Sequence, residues 1–302
     1  MSRVAVVVPC RDRAATVGEA VASVLAQDYP DLEVVAVDDG SGDGTVAVLE
    51  AIADPRLRVL RNPGPPGVSG ARNHGVAATE APWIAFQDSD DLWRPGKLRR
   101  QMARLAEGGH VAAYCAMEVS RDPGSPAAAR IPAPDHPGPL EGDILPALAQ
   151  GSFVSTQTLV LRRDVFAAAG GFDTGLRALV DWELMLRVAQ AGPVAFVDAP
   201  LVVQRMQPNS ITRSATARLA AQMRILDRHG ALLARYPGAL ARHHDRLAGG
   251  HRRAGDWAAA AHHAGQAARL APGPRSLGKA VWLAARARLA GGRDGRRDDP
   301  VP

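Results

Sequence analysis

The sequence has little cysteine, few aromatic side chains and no long apolar run. Two cysteines, Cys10 and Cys115, stand among 302 residues. They form neither a disulfide framework nor a metal-binding spacing, so a reducing, cytoplasmic setting is expected. Aromatic residues make up 4% of the chain. They are not interleaved with the basic residues and no base-reading motif is present, which argues against a nucleic-acid partner. No apolar run reaches the about 18 residues that a membrane-spanning helix needs. The opening MSRVAVVVPCRDR has too brief an apolar stretch for a signal peptide, and no small-residue cleavage site follows it. It reads as a first strand.

The rest of the composition is that of a globular chain, 46% hydrophobic and 22% charged, long enough for one large domain or two smaller ones. The net charge of +5 is unevenly spread. From Arg213 onward 17 Lys and Arg face 6 Asp and Glu, whereas the preceding residues hold 19 against 25. Clustered carboxylates suit a bound cation. A basic region suits an anionic partner or a membrane surface, and solvated arginine-rich helices are its blander reading. The pairs His243-His244 and His262-His263 come with no further ligand at a recognised spacing, so helix-surface positions are expected for them.

Periodicity divides the chain. VAVVVP, Val4 to Pro9, is a β-branched run suited to a strand buried on both faces. A helical pattern spans Thr16 to Gln27, and LEVVAVDDGS gives a second strand ending at Asp38 and Asp39. Thr45 to Ala53 reads as helix, RLRVL as strand, Ser69 to Ala78 as helix and PWIAFQ as strand. This alternation predicts an α/β fold, a Rossmann-like, mainly parallel sheet with helices on both faces. The Pro- and Gly-rich stretch from Asp122 to Pro139 reads as a loop, Phe153 to Leu161 as a strand, and GGFDTGLRALVDWELMLRVAQAG as a turn leading into a helix. VAFVDAPLVVQRM supplies one or two more strands. The expected organisation is an α/β domain over 1–212, an all-α region over 213–292 and a disordered tail over 293–302.

In open α/β sheets ligands bind beyond the carboxyl ends of the strands. Three strands deliver polar groups to that edge: Cys10 to Asp12, Asp38-Asp39 and Asp88 to Asp91. Carboxylates so close raise one another's pKa unless a cation or strong donors lie among them. Hard divalent cations take such oxygen ligands.

Six segments, VVVPCRDR, VVAVDDGSGDGT, GVSGARNHGV, FQDSDDLWRPGKLRRQ, GGFD and DWELMLR, occur in an order and spacing that resembles family 2 glycosyltransferases over residues 4 to about 212. The resemblance implies a GT-A type fold. It implies a metal-dependent, inverting transfer of a sugar from a nucleotide diphosphate, a UDP-sugar, to a hydroxyl of a glycan or lipid-linked acceptor. It places the chain in cell-envelope polysaccharide biosynthesis. Asp90 would be the direct ligand of Mg²⁺ or Mn²⁺, with Asp88 near the ribose or a metal-bound water. Asp39 first and Asp38 second would contact base and ribose, Arg72 the base or a phosphate, and Pro9, Cys10, Arg11, Asp12 and Ser89 would complete the nucleotide site. Relatives carry an aromatic residue and Asn where this chain has Arg11 and Asp12, and an arginine plane can also stack on a base.

Asp181 matches the general base that the family places at the head of a helix, with Val180 where a Glu commonly precedes it. A helix N-cap is the structural alternative for Asp181, and Glu183 is the second candidate base. Trp182 and Asp91 would lie on the acceptor and sugar side. Trp182 could equally be a core tryptophan, and Asp91 a cap for a helix beginning near Pro95. Trp93 is expected to pack beneath the metal loop. Gln207 stands where relatives often carry a metal-binding His. Peripheral membrane contact is expected through the basic C-terminal helices. Two other functions share these features. A nucleotidyltransferase would need a Gly-rich phosphate loop after the first strand, which PCRDRAATVG does not supply. A non-catalytic nucleotide-binding scaffold would tolerate the replacements at 180 and 207.

Overall fold

The computed structural model describes residues 2–120, 127–206 and 214–294. The chain divides into two compact units, Met1–Ile211 and Thr212–Pro302.

The first unit opens with β1 (Val4–Cys10), α1 (Val17–Leu25), β2 (Leu32–Asp38), α2 (Thr45–Glu50), β3 (Leu57–Arg61), α3 (Val68–Ala77) and β4 (Trp83–Phe86). These strands run parallel in the order β3-β2-β1-β4. All seven residues of β1 are buried because it lies between two neighbours and beneath helices on both faces. On one face Val17, Val21 and Val24 of α1 join Val4, Val6 and Val8 in a common core. On the other, α3 lies so close that a Cβ at Gly75 would come within 2.4 Å of Val7 and 3.1 Å of Val37. Only glycine allows that approach, and it fixes the height at which α3 presents Arg72 and Asn73.

The sheet continues with β5 (Leu92–Trp93), α4 (Lys97–Ala106), β6 (Ala112–Ser120), β7 (Ala129–Ile131), α5 (Leu145–Leu148), a 3-10 turn at Thr156–Thr158, β8 (Leu159–Arg162), α6 (Arg163–Ala168), α7 (Val180–Val188) and β9 (Val194–Arg205). Its full order is β3-β2-β1-β4-β8-β6-β9-β5, with β7 on β6. The parallel expectation describes the first four strands, and the second half is mixed. β8 runs against both β4 and β6, while β9 runs with β6 and carries β5 antiparallel. Two local readings change. The Ala- and Pro-rich stretch contains β7, and the strand expected from Phe153 starts only after the 3-10 turn.

The second unit holds α8 (Ala215–Leu233), α9 (Pro237–Arg253), α10 (Trp257–Leu270) and α11 (Pro274–Asp294). Ser214 and Asp256 cap α8 and α10 by accepting from Ala217 N at 3.2 Å and Ala259 N at 3.0 Å. Ala248, Ala260, Ala264 and Leu283 form a small core. Such small side chains let helices approach closely, and His243, His244 and His263 fall into the seams instead of onto the surface. His243 is buried, and His244 and His263 stack with their Nδ1 atoms 3.0 Å apart; of the four, His262 alone is exposed. α11 runs to Asp294, past the expected end at 292, and the remainder of the expected tail lies outside the described residues. Among the described residues no helix is long and apolar enough to cross a membrane.

Candidate active site

β1 lies between β2 and β4, so the loops leaving their C-terminal ends are neighbours. Asp39 N donates to Cys10 O at 2.8 Å. The Asp39 carboxylate is buried and accepts from Asn62 Nδ2 at 2.6 Å and Gly67 N at 2.7 Å, which ties it to the first turn of α3. Asp38 is also buried and accepts from Ser41 N at 3.2 Å. Asp12 has φ 51, a left-handed conformation that Asp tolerates better than most residues. It accepts from Gly42 N at 2.8 Å and donates its own N–H to Ser41 Oγ, locking the first loop onto the second. Arg11 is exposed at the rim. Pro9 and Cys10 are buried in β1. The Cys10 thiol donates to Val37 O, and burial first, then Asp38, Asp39 and Asp43, pushes its pKa up to about 12. Both side chains thus support the loop from beneath, so a nucleotide would meet Pro9 and Cys10 through their backbone.

The Asp88–Asp91 turn follows β4. Asp88 Oδ1 lies 2.5 Å from Arg72 Nη2, and the buried Arg72 guanidinium stands 5.3 Å over the Phe172 ring. Ser89 is buried, and its carbonyl accepts from Thr16 Oγ1 at 2.9 Å. Asp90 Oδ2 lies 3.4 Å from Arg13 Nε, a pairing that the sequence did not suggest. Asp91 is 2% exposed and accepts from Arg205 N at 2.9 Å and Gln157 Nε2 at 3.0 Å. It therefore neither faces a sugar nor caps α4, whose cap is Gly96 without a side-chain bond. The missed partner is Arg205, which also donates from Nε to Asp90 O at 2.7 Å and from Nη1 to Glu19 at 2.6 Å. Trp93 is buried with its indole N–H on Gln157 O, and Lys97 Nζ stands 3.7 Å from its ring centre.

The third wall is the head of α7. Leu179 precedes the helix at φ 57, an uncommon strain for a leucine. Asp181 lies in the first turn, partly exposed, and its Oδ1 accepts from Trp182 N at 2.7 Å. Burial raises its pKa, with Arg72 opposing that shift and Asp88 adding to it. The N-cap alternative fails because Leu179 holds that position. Trp182 is 2% exposed and its indole N–H donates to Leu148 O at 2.7 Å, so the expected sugar platform is instead core. Glu183 is buried and paired with Arg187 one turn on, which removes it as an alternative base.

Asn73, also missed, joins α3 to the segment between α6 and α7. Its Nδ2 donates to Phe172 O and its Oδ1 accepts from Phe172 N, both at 2.9 Å. The signal available in the sequence was its place beside Arg72 in GVSGARNHGV.

Asp90 and Asp91 both have raised pKa values, first from burial and then from neighbouring carboxylates; Arg13 opposes the shift at Asp90. Among the described residues no group of three or more His, Cys, Asp or Glu is arranged to hold a metal ion. Asp88 and Asp90 nevertheless fit a hard cation that completes its shell with diphosphate oxygens. They are two oxygen-ligand carboxylates on one turn, half open, each balanced by a guanidinium that a cation could replace. Gln207 lies outside the described residues.

The family model described as Glycosyl transferase family 2 matches residues 5–168. Over 218 residues, 68% of this chain and 62% of the relative, the sequence is 35% identical to the succinoglycan biosynthesis protein ExoO of Rhizobium meliloti. Over 102 residues, 34% of this chain and 40% of the relative, it is 33% identical to the Escherichia coli glucosyltransferase WfgD. The chain thus spans less than two thirds of either relative's length. The fold is similar to that of S. aureus TarS 1-349, with a TM-score of 0.66 and 18% identity over 99% of this chain and 94% of that one. It is also similar to the mannosyltransferase PcManGT of Pyrobaculum calidifontis, solved with GDP-Man and Mn²⁺, with a TM-score of 0.61 and 21% identity over 96% of this chain and 80% of that one.

Proposed function

The chain belongs to glycosyl transferase family 2, and from that premise we propose that it is a metal-dependent, inverting glycosyltransferase. It moves a sugar from a nucleotide diphosphate, a UDP-sugar, to a hydroxyl of a glycan or lipid-linked acceptor. The carrying observation is that Asp39 and the Asp88–Asp90 turn stand at the carboxyl ends of β2 and β4, on either side of β1, with Asp39 tied to the start of α3 and Arg72 of α3 paired to Asp88.

Each group has a task that its surroundings favour. Asp39 and Asp38 would receive the base and ribose, as carboxylate acceptors make strong bonds to N–H and O–H donors. Arg11 would lie against the base, and Arg72 would bind a phosphate or the base when it leaves Asp88. Asp90, with Asp88, would hold Mg²⁺ or Mn²⁺, which when bound neutralises the departing diphosphate as a Lewis acid. Asp181 would take the proton of the acceptor hydroxyl as that oxygen attacks the anomeric carbon. With Glu183 paired to Arg187, Asp181 is the base left at the head of α7, which supports direct displacement and inversion. Peripheral membrane contact through the basic C-terminal helices would bring a lipid-linked acceptor within reach.

The reading is tested by incubating the protein with UDP-sugars and undecaprenyl-linked or free glycan acceptors, with and without Mn²⁺. Metal-dependent product whose new anomeric linkage is opposite to the donor's supports it; retained configuration contradicts it.

A further inference from the structure

α11 is apolar on two opposite sides. One side is covered. Leu283 is fully buried with Ala248, Ala260 and Ala264, and the Arg286 guanidinium lies 4.9 Å over the Trp257 ring. At 3.6 residues per turn, Leu277, Val281, Ala285 and Leu289 fall on the side opposite Leu283. That side is open: Leu277 is 51%, Val281 70% and Leu289 65% exposed, with Trp282 at its edge 48% exposed. Of six large apolar side chains exposed among the described residues, four lie on this helix. Leaving them in water is unfavourable, and concentrating them on one face marks a contact surface.

Charge selects the occupant. Arg275, Arg286 and Arg288 are exposed along the same helix, and Lys279 is ion-paired to Asp245 at 2.6 Å. The chain from Arg213 onward carries 17 basic against 6 acidic residues. A second copy docked on this face would bring like-charged arginines together. A nucleic acid would leave the aliphatic ridge against phosphates. An anionic lipid surface satisfies both features: aliphatic side chains enter the acyl boundary, tryptophan sits at the interface and arginines reach the headgroup phosphates.

We propose that α11 is a membrane-docking helix that lies flat on an anionic bilayer, with Leu277, Val281, Trp282 and Leu289 inserted and Arg275 and Arg288 at the phosphates. This locates the peripheral contact in the proposed function, and it stands whether or not the chain transfers a sugar.

The test is co-sedimentation of the full chain with vesicles of phosphatidylcholine alone or with an equal part of phosphatidylglycerol. Two double variants separate the forces. Val281→Ser with Leu289→Ser removes apolar insertion without changing charge. Arg275→Gln with Arg288→Gln removes charge and leaves the ridge. The expected result is binding that depends on phosphatidylglycerol and weakens with salt, reduced about tenfold or more by the serine pair. A loss of about tenfold is expected from the glutamine pair, with less preference for phosphatidylglycerol. Unchanged circular dichroism and unchanged nucleotide-induced thermal shift in both variants would show that fold and catalytic unit are intact. Failure to bind anionic vesicles, or equal binding by wild type and the serine pair, overturns the proposal. So does a wild-type dimer that the serine pair converts to monomer, because the face would then belong to a second copy.

Discussion

Arg72 Nη2 and Asp88 Oδ1 meet at 2.5 Å, and the arginine is almost wholly buried while the aspartate remains half open. The pair joins α3 to the end of β4, and Asp181 feels both charges. In the proposed function this guanidinium would link the donor and acceptor sides, and it would leave Asp88 for a phosphate while Phe172 supports its flat face.

Arg72→Lys keeps the charge but loses the planar fork that binds phosphate or carboxylate in two places. The expected outcome is a rise in KM for the donor of about tenfold, accompanied by a fall in kcat because the Asp181 surroundings change with it. Steady-state kinetics over a donor series check this; an unchanged KM would place Arg72 outside the donor site.

Arg13 stands 3.4 Å from Asp90 as a resident counter-charge. Arg13→Gln should therefore tighten binding of Mn²⁺ alone and weaken binding of UDP, each by about threefold to tenfold, since one partial charge is removed from a partly exposed site. Calorimetric titration of metal and nucleotide separately measures both. Weaker metal binding in the variant would show that Arg13 does not compete for Asp90.

Asp181 and Glu183 lie two residues apart with opposite expectations. Asp181→Asn should lower kcat by about a hundredfold to ten-thousandfold while donor binding and thermal stability stay close to wild type. Glu183→Gln leaves the Arg187 charge buried without its partner and should destabilise the protein by about 3 kcal/mol, with kcat per folded molecule largely preserved. Chemical denaturation and kcat measured together separate the two roles.

Burial raises the pKa of Asp181, and a general base must be deprotonated to act. Activity therefore falls as pH drops through that raised value, so the acid limb of kcat/KM should lie above the ordinary 3.8. A limb at or below that value would mean another group sets the profile.

Lys97 is fully buried, its Nζ has no hydrogen-bond partner, and burial pushes its pKa down to about 8 from 10.5. In the unfolded chain the lysine holds its proton up to the higher value. Stability is thus lost as pH falls from 10.5 through 8, where the buried amine must take up charge. Lys97→Met should raise the melting temperature at neutral pH, less so at pH values above 10. The Trp93 ring offsets part of the penalty, and a lower melting temperature at neutral pH would show that this cation–π contact outweighs it.

β1, β2 and β4 were legible because each is a short, mostly apolar run, as parallel strands buried on both faces are, whereas β3, LRVLR, is a half-exposed edge strand placed by the helical patterns on either side of it. β6 was not: AAYCAMEVS alternates nothing, and its neighbours β8 and β9 come from far along the chain. At the candidate site, motif order singled out Asp39, Arg72, Asp88, Asp90 and Asp181, whose roles stay part of the proposed function. It could not show which carboxylates are buried against internal partners, as Asp91 is against Arg205 N and Gln157 and Glu183 against Arg187. Arg13, Asn73 and Arg205 were invisible because their importance lies in partners that are distant in sequence.

The most direct measurement is a thermal-shift titration of the full chain with UDP, GDP, ADP and TDP, each with and without Mn²⁺, beside Asp90→Ala. The expected result is selective stabilisation by UDP that requires metal and disappears in Asp90→Ala. No shift with any nucleotide, or an equal shift in the variant without metal, would contradict a donor site built on Asp88 and Asp90.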